Sequence, residues 1–170
     1  MSSYVNFYVK NQQGEYTPLA SFSRSTQIYS AIKALGFTGE ELNDEKWGWI
    51  TYAIPFQESG VQSVIADLEI HKDNCKKNIE NYRDNINLIM SSNSSSSLEE
   101  RLEYVDTYKQ GISEEEEEVD CLQTYISYMN FLNIVRDENR PHPDEREVDD
   151  TILVGIDAVP KGKEEEFCTL

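Results

Sequence analysis

Nine residues, Val61, Ile65, Leu68, Lys72, Cys75, Ile79, Tyr82, Ile86 and Ile89, follow one another at alternating spacings of four and three. An α-helix turns once in 3.6 residues, so this spacing lines them along one edge. An unbroken run of such heptads demands a second helix to cover it. Lys72 is the single charged member of the seam. Ser59 and Gln62 have the S-x-x-Q spacing of a capping box at its start. At 1.5 Å per residue the helix would run roughly 45 Å. The polar stretch SSNSSSS at 91–97 then ends it.

A second capping box, Ser97 to Glu100, opens another seam: Leu98, Leu102, Val105, Tyr108, Ile112, Glu115, Val119, Leu122, Ile126 and Met129. The step from Val105 to Tyr108 to Ile112 breaks the heptad phase beside Gly111. That break predicts a kink or a short 3₁₀ segment at about residues 109–113, with Ser113 and Glu116 recapping the helix. Two long helices joined by a short loop fold back as an antiparallel hairpin. A loop centred near Ser94 sets Ile86 against Leu102, Cys75 against Ile112 and Val61 against Ile126. It also puts Lys72 opposite Glu115 and Glu116, a structural pair that would fix the register.

The flanking segments read as β structure. In SYVNFYVK, Val5, Phe7 and Val9 alternate with Tyr4, Asn6 and Tyr8, the period of a half-buried strand. NQQG is a turn with Gly14 free to take a positive φ. Pro18 makes the returning EYTPLASFS an edge strand or an interrupted one. STQIYSAIKALGF follows as a helix, capped by Ser25 or Thr26 and ended by Gly36. Residues 38–58 admit a short acidic helix and then a strand from Trp49 to Ile54, or a helix ended by Pro55; aromatic and β-branched content favours the strand. TILVGIDAV is a closing strand that joins the N-terminal hairpin, because an isolated hairpin is marginal in water. The expected fold class is therefore α+β: a small antiparallel sheet of N-terminal hairpin plus C-terminal strand, a short helix, and a long coiled-coil-like helical hairpin. Residues 1–160 form one domain, with the hairpin at 60–136 projecting from or packing on the sheet, and 161–170 form a flexible acidic tail.

Charge narrows the function classes. The chain of 170 residues carries a net charge of −17. Residues 98–140 hold 4 basic and 12 acidic groups and residues 141–170 hold 3 and 9, so −14 of the −17 lies after Ser97. Such a chain is repelled by nucleic acid and by anionic membranes, and a basic protein partner suits it better. The three cysteines, Cys75, Cys121 and Cys168, lack CxxC spacing and suggest reduced thiols and a cytoplasmic setting. No signal-peptide pattern and no membrane-length apolar run is present. His71 and His142 stand far apart and outside any zinc spacing. His142–Pro143–Asp144 matches the tripeptide of J-domain co-chaperones, but the segment before it is not basic, and a turn is the better reading. No calcium loop, G-x-S-x-G or phosphate loop is found. No catalytic, metal or cofactor residue is assigned, and the chain reads as a non-enzyme.

The run Glu114–Glu118 has two readings, a solvated helix face or an anionic stripe offered to a basic groove. In the second, the partner-binding residues are Glu114, Glu117, Glu118 and Asp120, extended by Asp144, Glu145, Asp149 and Asp150. YVNFYVK with GEYTPLASFSRSTQIYSAI and the closing TILVGID resembles small uncharacterised acidic proteins of bacteriophages and prophages. The resemblance implies an accessory role inside a bacterium and makes Arg24, in SFSRS, a further contact candidate, against its reading as a hairpin-to-helix connector. The expectation is a protein that binds and inhibits a host protein with a basic surface, in the manner of an anti-CRISPR or DNA mimic. The alternative is a self-associating phage structural protein, a homodimer joined through the coiled coil and Tyr104, Tyr108, Tyr125 and Tyr128.

Overall fold

The computed structural model describes residues 4–35, 47–49, 52–92, 96–140, 149–156 and 159–160. In chain order they form β1 (Tyr4–Lys10), β2 (Tyr16–Ser23), α1 (Gln27–Ala34), β3 (Trp47–Trp49), β4 (Tyr52–Pro55), α2 (Glu58–Ser91), α3 (Leu98–Asn139), β5 (Ile152–Ile156) and β6 (Val159–Pro160). The fold is α+β, as the patterning predicts. The chain divides into two compact units, one of residues 1–66 with 127–170, the other of residues 67–126.

In the first unit the main sheet has the order β2-β1-β5-β4, with every neighbouring pair antiparallel. The turn between β1 and β2 is held by Asn11, whose side-chain oxygen accepts from the amides of Gln13 and Glu15 at 3.0 and 2.9 Å. Gly14 takes the positive φ of 81° that this turn requires. Pro18 has both predicted consequences: β2 lies at the sheet edge, and the β1–β2 register slips between Phe7, opposite Ala20, and Tyr8, opposite Pro18. Strand β5 joins the hairpin as expected, but it enters the middle of the sheet, because β4 adds a fourth strand on its far side. The single strand expected at Trp49–Ile54 is two: β4 joins the main sheet, and β3 pairs with β6 in a separate ribbon. The acidic stretch 38–46 and Gly36 lie outside the described residues.

Alternation misleads in β1, where Asn6 and Tyr8 are as buried as Val5 and Phe7. Asn6 is satisfied by the hydroxyl of Ser21, its cross-strand partner, at 2.6 Å. Burial pushes the Tyr8 hydroxyl pKa upward, opposed by its bond to Asn6. Ile152, Leu153 and Val154 of β5 are likewise buried in succession, the pattern of a strand covered on both faces. Phe7 centres an aromatic cluster, with ring centroids of Phe22, Phe56 and Tyr128 at 6.0, 5.6 and 5.9 Å. Such pairs add about 1 kcal/mol each beyond their buried area. Thr26 caps α1, accepting from the Tyr29 amide, and Ile28 and Ile32 enter the core.

In the second unit α2 and α3 pair as an antiparallel hairpin. Their predicted seams turn inward over most of their length: Leu68, Lys72, Ile79, Val105, Leu122 and Ile126 are buried, and Cys75, Tyr82, Tyr108 and Ile112 half-buried. The Ser97–Glu100 capping box is formed reciprocally, with Ser97 N donating to Glu100 Oε2 at 3.0 Å and Glu100 N to Ser97 Oγ at 3.2 Å. The Ser59–Gln62 box is not. α2 begins at Glu58, the carbonyl of Gln57 receives the amides of Gly60 and Val61, and Ser59 falls inside the first turn.

Two further expectations are corrected. α3 runs unbroken as α-helix through 109–113, with no 3₁₀ segment and no new cap at Ser113. The phase break there accommodates a close approach: a Cβ on Gly111 would lie 3.0 Å from Tyr82 Cε2, so the missing side chain lets the Tyr82 ring lie against the α3 backbone. The register also differs. Lys72 Nζ bonds Gln123 Oε1 at 3.0 Å and pairs with Glu69 at 2.5 Å on its own helix. Glu115 instead accepts from Asn78 at 2.8 Å and Glu116 from Arg83 at 3.2 Å. Matching apolar layers by number alone missed this, because the Tyr82 ring fits at Gly111 and sets the level of one helix against the other.

Candidate functional site

From Gln110 to Val135 helix α3 contains no lysine or arginine, and it carries Glu114–Glu118 and Asp120. The hairpin sorts these carboxylates. Glu115, on the seam, is half-buried and bonded to Asn78; Glu114, Glu116, Glu117, Glu118 and Asp120 are exposed. Glu114 accepts from Gln110 Nε2 at 2.9 Å, one turn earlier. Glu116 meets Arg83, both more than half exposed, a pair worth well under 1 kcal/mol. Glu117, Glu118 and Asp120 have no cation within ion-pair distance among the described residues.

The negative field of the run reaches its neighbours. Burial, the hydrogen bond to Glu115 and the charges of Glu115 and Glu118 push the Cys75 thiol up to about 11. Burial and the same Glu118 charge raise Tyr125. The raised pKa keeps the half-buried Cys75 in its thiol form near neutral pH, whereas Cys121 is exposed.

Asp149 and Asp150, read from sequence as part of the stripe, are used inside the first unit. Asp150 pairs with Lys10 at 2.6 Å. Asp149 receives Arg140 at 2.6 Å, Arg136 at 3.4 Å and the Thr151 amide at 3.0 Å, and its carbonyl accepts from Gln57 Nε2 at 2.8 Å. Burial works against the Asp149 charge, yet the Thr151 amide and Arg140 outweigh it and hold the carboxyl below the usual range. Asp144 and Glu145, with His142, lie outside the described residues.

The residue that sequence reasoning missed is Arg136. Only 2% exposed, it donates to the Phe56 carbonyl and to Asn133 Oδ1, and it ties the end of α3 to the segments that lead into α2 and β5. The signal was present: Asn133 and Arg136 continue the four-three spacing beyond Met129, so an arginine stood at a core position.

Arg24 is exposed in the turn between β2 and α1, whose bonds are made by Ser23 and Thr26. The four tyrosines of the self-assembly reading do not form one surface. Tyr104 is 62% exposed, but Tyr108 packs on Tyr82 with centroids 5.8 Å apart, Tyr125 is half-buried, and Tyr128 belongs to the Phe7 cluster. His71 is a surface residue, 3.9 Å from Asp67 on its own helix. Among the described residues no group of histidine, cysteine or carboxylate side chains is placed to hold a metal, and no helix is long and apolar enough to cross a membrane. Compared with known proteins, the chain matches no family profile, no curated protein and no solved structure.

Proposed function

We propose that the protein works by binding rather than by catalysis, presenting the outer face of α3 to a basic surface on a bacterial protein and competing there with nucleic acid. One observation carries the reading: exposed carboxylates with no cation within ion-pair distance among the described residues stand in a row on an unbroken helix. Glu114, Glu117, Glu118 and Asp120 are four such carboxylates in seven residues. At a rise of 1.5 Å that is about one charge per 2.6 Å of axis, between the roughly 3.4 Å of a single DNA strand and the roughly 1.7 Å of the duplex. Glu99, Glu100, Glu103 and Asp106 extend the negative face toward the start of the same helix. The bacterial setting rests on the resemblance to phage proteins.

The test is affinity capture from a bacterial lysate with the full chain, alongside an E114K/E117K/E118K variant. Nucleic-acid-handling proteins should be retained by the first, lost with the second, and displaced by added DNA or by raising salt. Capture indifferent to charge reversal, salt and DNA refutes the reading.

A further inference from the structure

We propose that the loop end of the α2–α3 hairpin is a docking site for a cationic amphipathic helix of a partner protein. Met90, Leu98 and Leu102 receive its apolar face, and Glu99, Glu103 and Asp106 its basic flank. The inference rests on the reading that the acidic hairpin faces a basic protein, and it supplies the apolar contact that a charge stripe lacks.

Leu98 is 63% exposed, Leu102, which the unbroken helix turns just off the line of Val105 and the half-buried Arg101, is 45% exposed, and Met90 is 50% exposed. The hairpin seams bury Leu122, Ile126 and Leu68. The hairpin therefore leaves its apolar edge uncovered at the loop end.

These residues share a side. A residue that follows a seam position is turned about 100° further round its helix. In an antiparallel pair, the forward flanks of both helices lie on the same side of the hairpin. Arg83 follows seam residue Tyr82, and Glu116 follows seam residue Glu115; their 3.2 Å contact confirms the geometry. By the same rule Met90, after Ile89, shares that side with Glu99 and Asp106, which follow Leu98 and Val105; Glu103 lies about one turn from each, and Asp106 also meets Lys109 at 3.8 Å. The outcome is an apolar strip bordered by carboxylates, the arrangement of an apolar centre and charged rim that protein interfaces use.

Charge complementarity selects the occupant. In a two-fold contact with a second copy, the same patch meets itself, so Glu99, Glu103 and Asp106 would face their own equivalents. Anionic lipid is repelled for the same reason. A helix with leucines on one face and lysines beside them satisfies both the strip and its rim.

The test uses the full chain in about 0.15 M salt, where charges more than roughly 8 Å away are screened. The probes are a synthetic leucine–lysine amphipathic helix, its leucine–glutamate counterpart and neutral phosphatidylcholine vesicles. The lysine helix should bind and slow amide exchange near residues 86–90 and 98–106. L98S/L102S should weaken binding about tenfold, as loss of a central apolar contact does, while D73N/E80Q, at exposed α2 carboxylates away from the loop end, changes it less than about threefold. Equal binding of the glutamate helix, preference for vesicles, indifference to L98S/L102S, or a dimer in light scattering that covers these leucines overturns the proposal. Failure of the stripe reading appears separately, as lysate capture that ignores E114K/E117K/E118K while the peptide still binds at the loop end.

Discussion

Replacing Arg136 tests how the first unit is held together. Its guanidinium is 2% exposed and supplies hydrogen to the Phe56 carbonyl and positive charge to Asp149. Arg136→Met keeps most of the volume and the apolar stem but leaves both acceptors without it. Removing one partner of a buried ion pair costs about 3–5 kcal/mol. Arg140 remains 2.6 Å from Asp149 and is 40% exposed, so part of the charge stays neutralised and the lower end, about 3 kcal/mol, is expected. Asp149→Asn removes the charge but keeps an acceptor for the Thr151 amide, a loss of about 1–2 kcal/mol. The double variant should lose about 1 kcal/mol or more less than the two single losses combined, because the partners touch.

Urea unfolding followed by tryptophan fluorescence reads this directly, since both tryptophans, Trp47 and Trp49, lie in the first unit. With a slope of about 1.5–2 kcal/mol per molar, Arg136→Met should lower the midpoint by about 1.5–2 M. The acid limb adds a sign. Asp149 has its folded pKa held down, so its contribution is complete above the unfolded value near 3.9 and is lost as pH falls through the folded one. The gap between the protein and Asp149→Asn should therefore close below about pH 4. A loss under about 1 kcal/mol for Arg136→Met, with strict additivity, would show that the guanidinium is not buried among these acceptors.

Lys72→Leu should stabilise the hairpin by up to about 1 kcal/mol, since an apolar side chain replaces a buried ammonium while Glu69 and Gln123 keep access to water; destabilisation by more than that, in the same urea assay, counts against the observed pairing. Gly111→Ala gains about 1 kcal/mol in helix propensity but drives a methyl against a Tyr82 ring backed by Tyr108. It should cost stability in the native background and gain about 1 kcal/mol once Tyr82→Leu makes room, and melting curves that move the same way in both backgrounds would contradict the close packing. In a Cys168→Ser background at pH 8, iodoacetamide should modify Cys121 and leave Cys75, whose thiol sits up at about 11; mass mapping that finds both equally labelled rejects that environment.

The helical hairpin was legible because heptad spacing is a one-dimensional record of a two-helix contact, and the Ser97–Glu100 cap is a local bond between near neighbours. What failed was non-local. The register depends on a ring from α2 resting at Gly111, and a numerical match of apolar positions contains no shape. Asn6 and Tyr8 looked like an outward face because alternation detects one buried side of a strand and is silent on whether the other is covered. Asp149 and Asp150 looked like part of a surface stripe because charge counts ignore partners distant in sequence, here Arg136, Arg140 and Lys10.

That sorting of charge bears on function through stability. Carboxylates three or four residues apart on a helix repel by about 0.2–0.5 kcal/mol per pair. Glu114–Glu117, Glu114–Glu118 and Glu117–Asp120 are three such pairs, so the exposed face works against its own helix by about 1 kcal/mol. Asp149 and Asp150 incur no comparable repulsion, having cations at 2.6 Å. A face that serves only solvation can relieve the strain by substitution without consequence, whereas a face that awaits a cationic partner carries it until the partner arrives. E114Q/E117Q/E118Q should therefore raise the urea stability of the free protein by about 1 kcal/mol at low salt, with the gain fading toward 1 M salt. In the capture experiment the same variant should lose its basic partners. Gain of stability with full retention of partners would assign the glutamates to solvation alone.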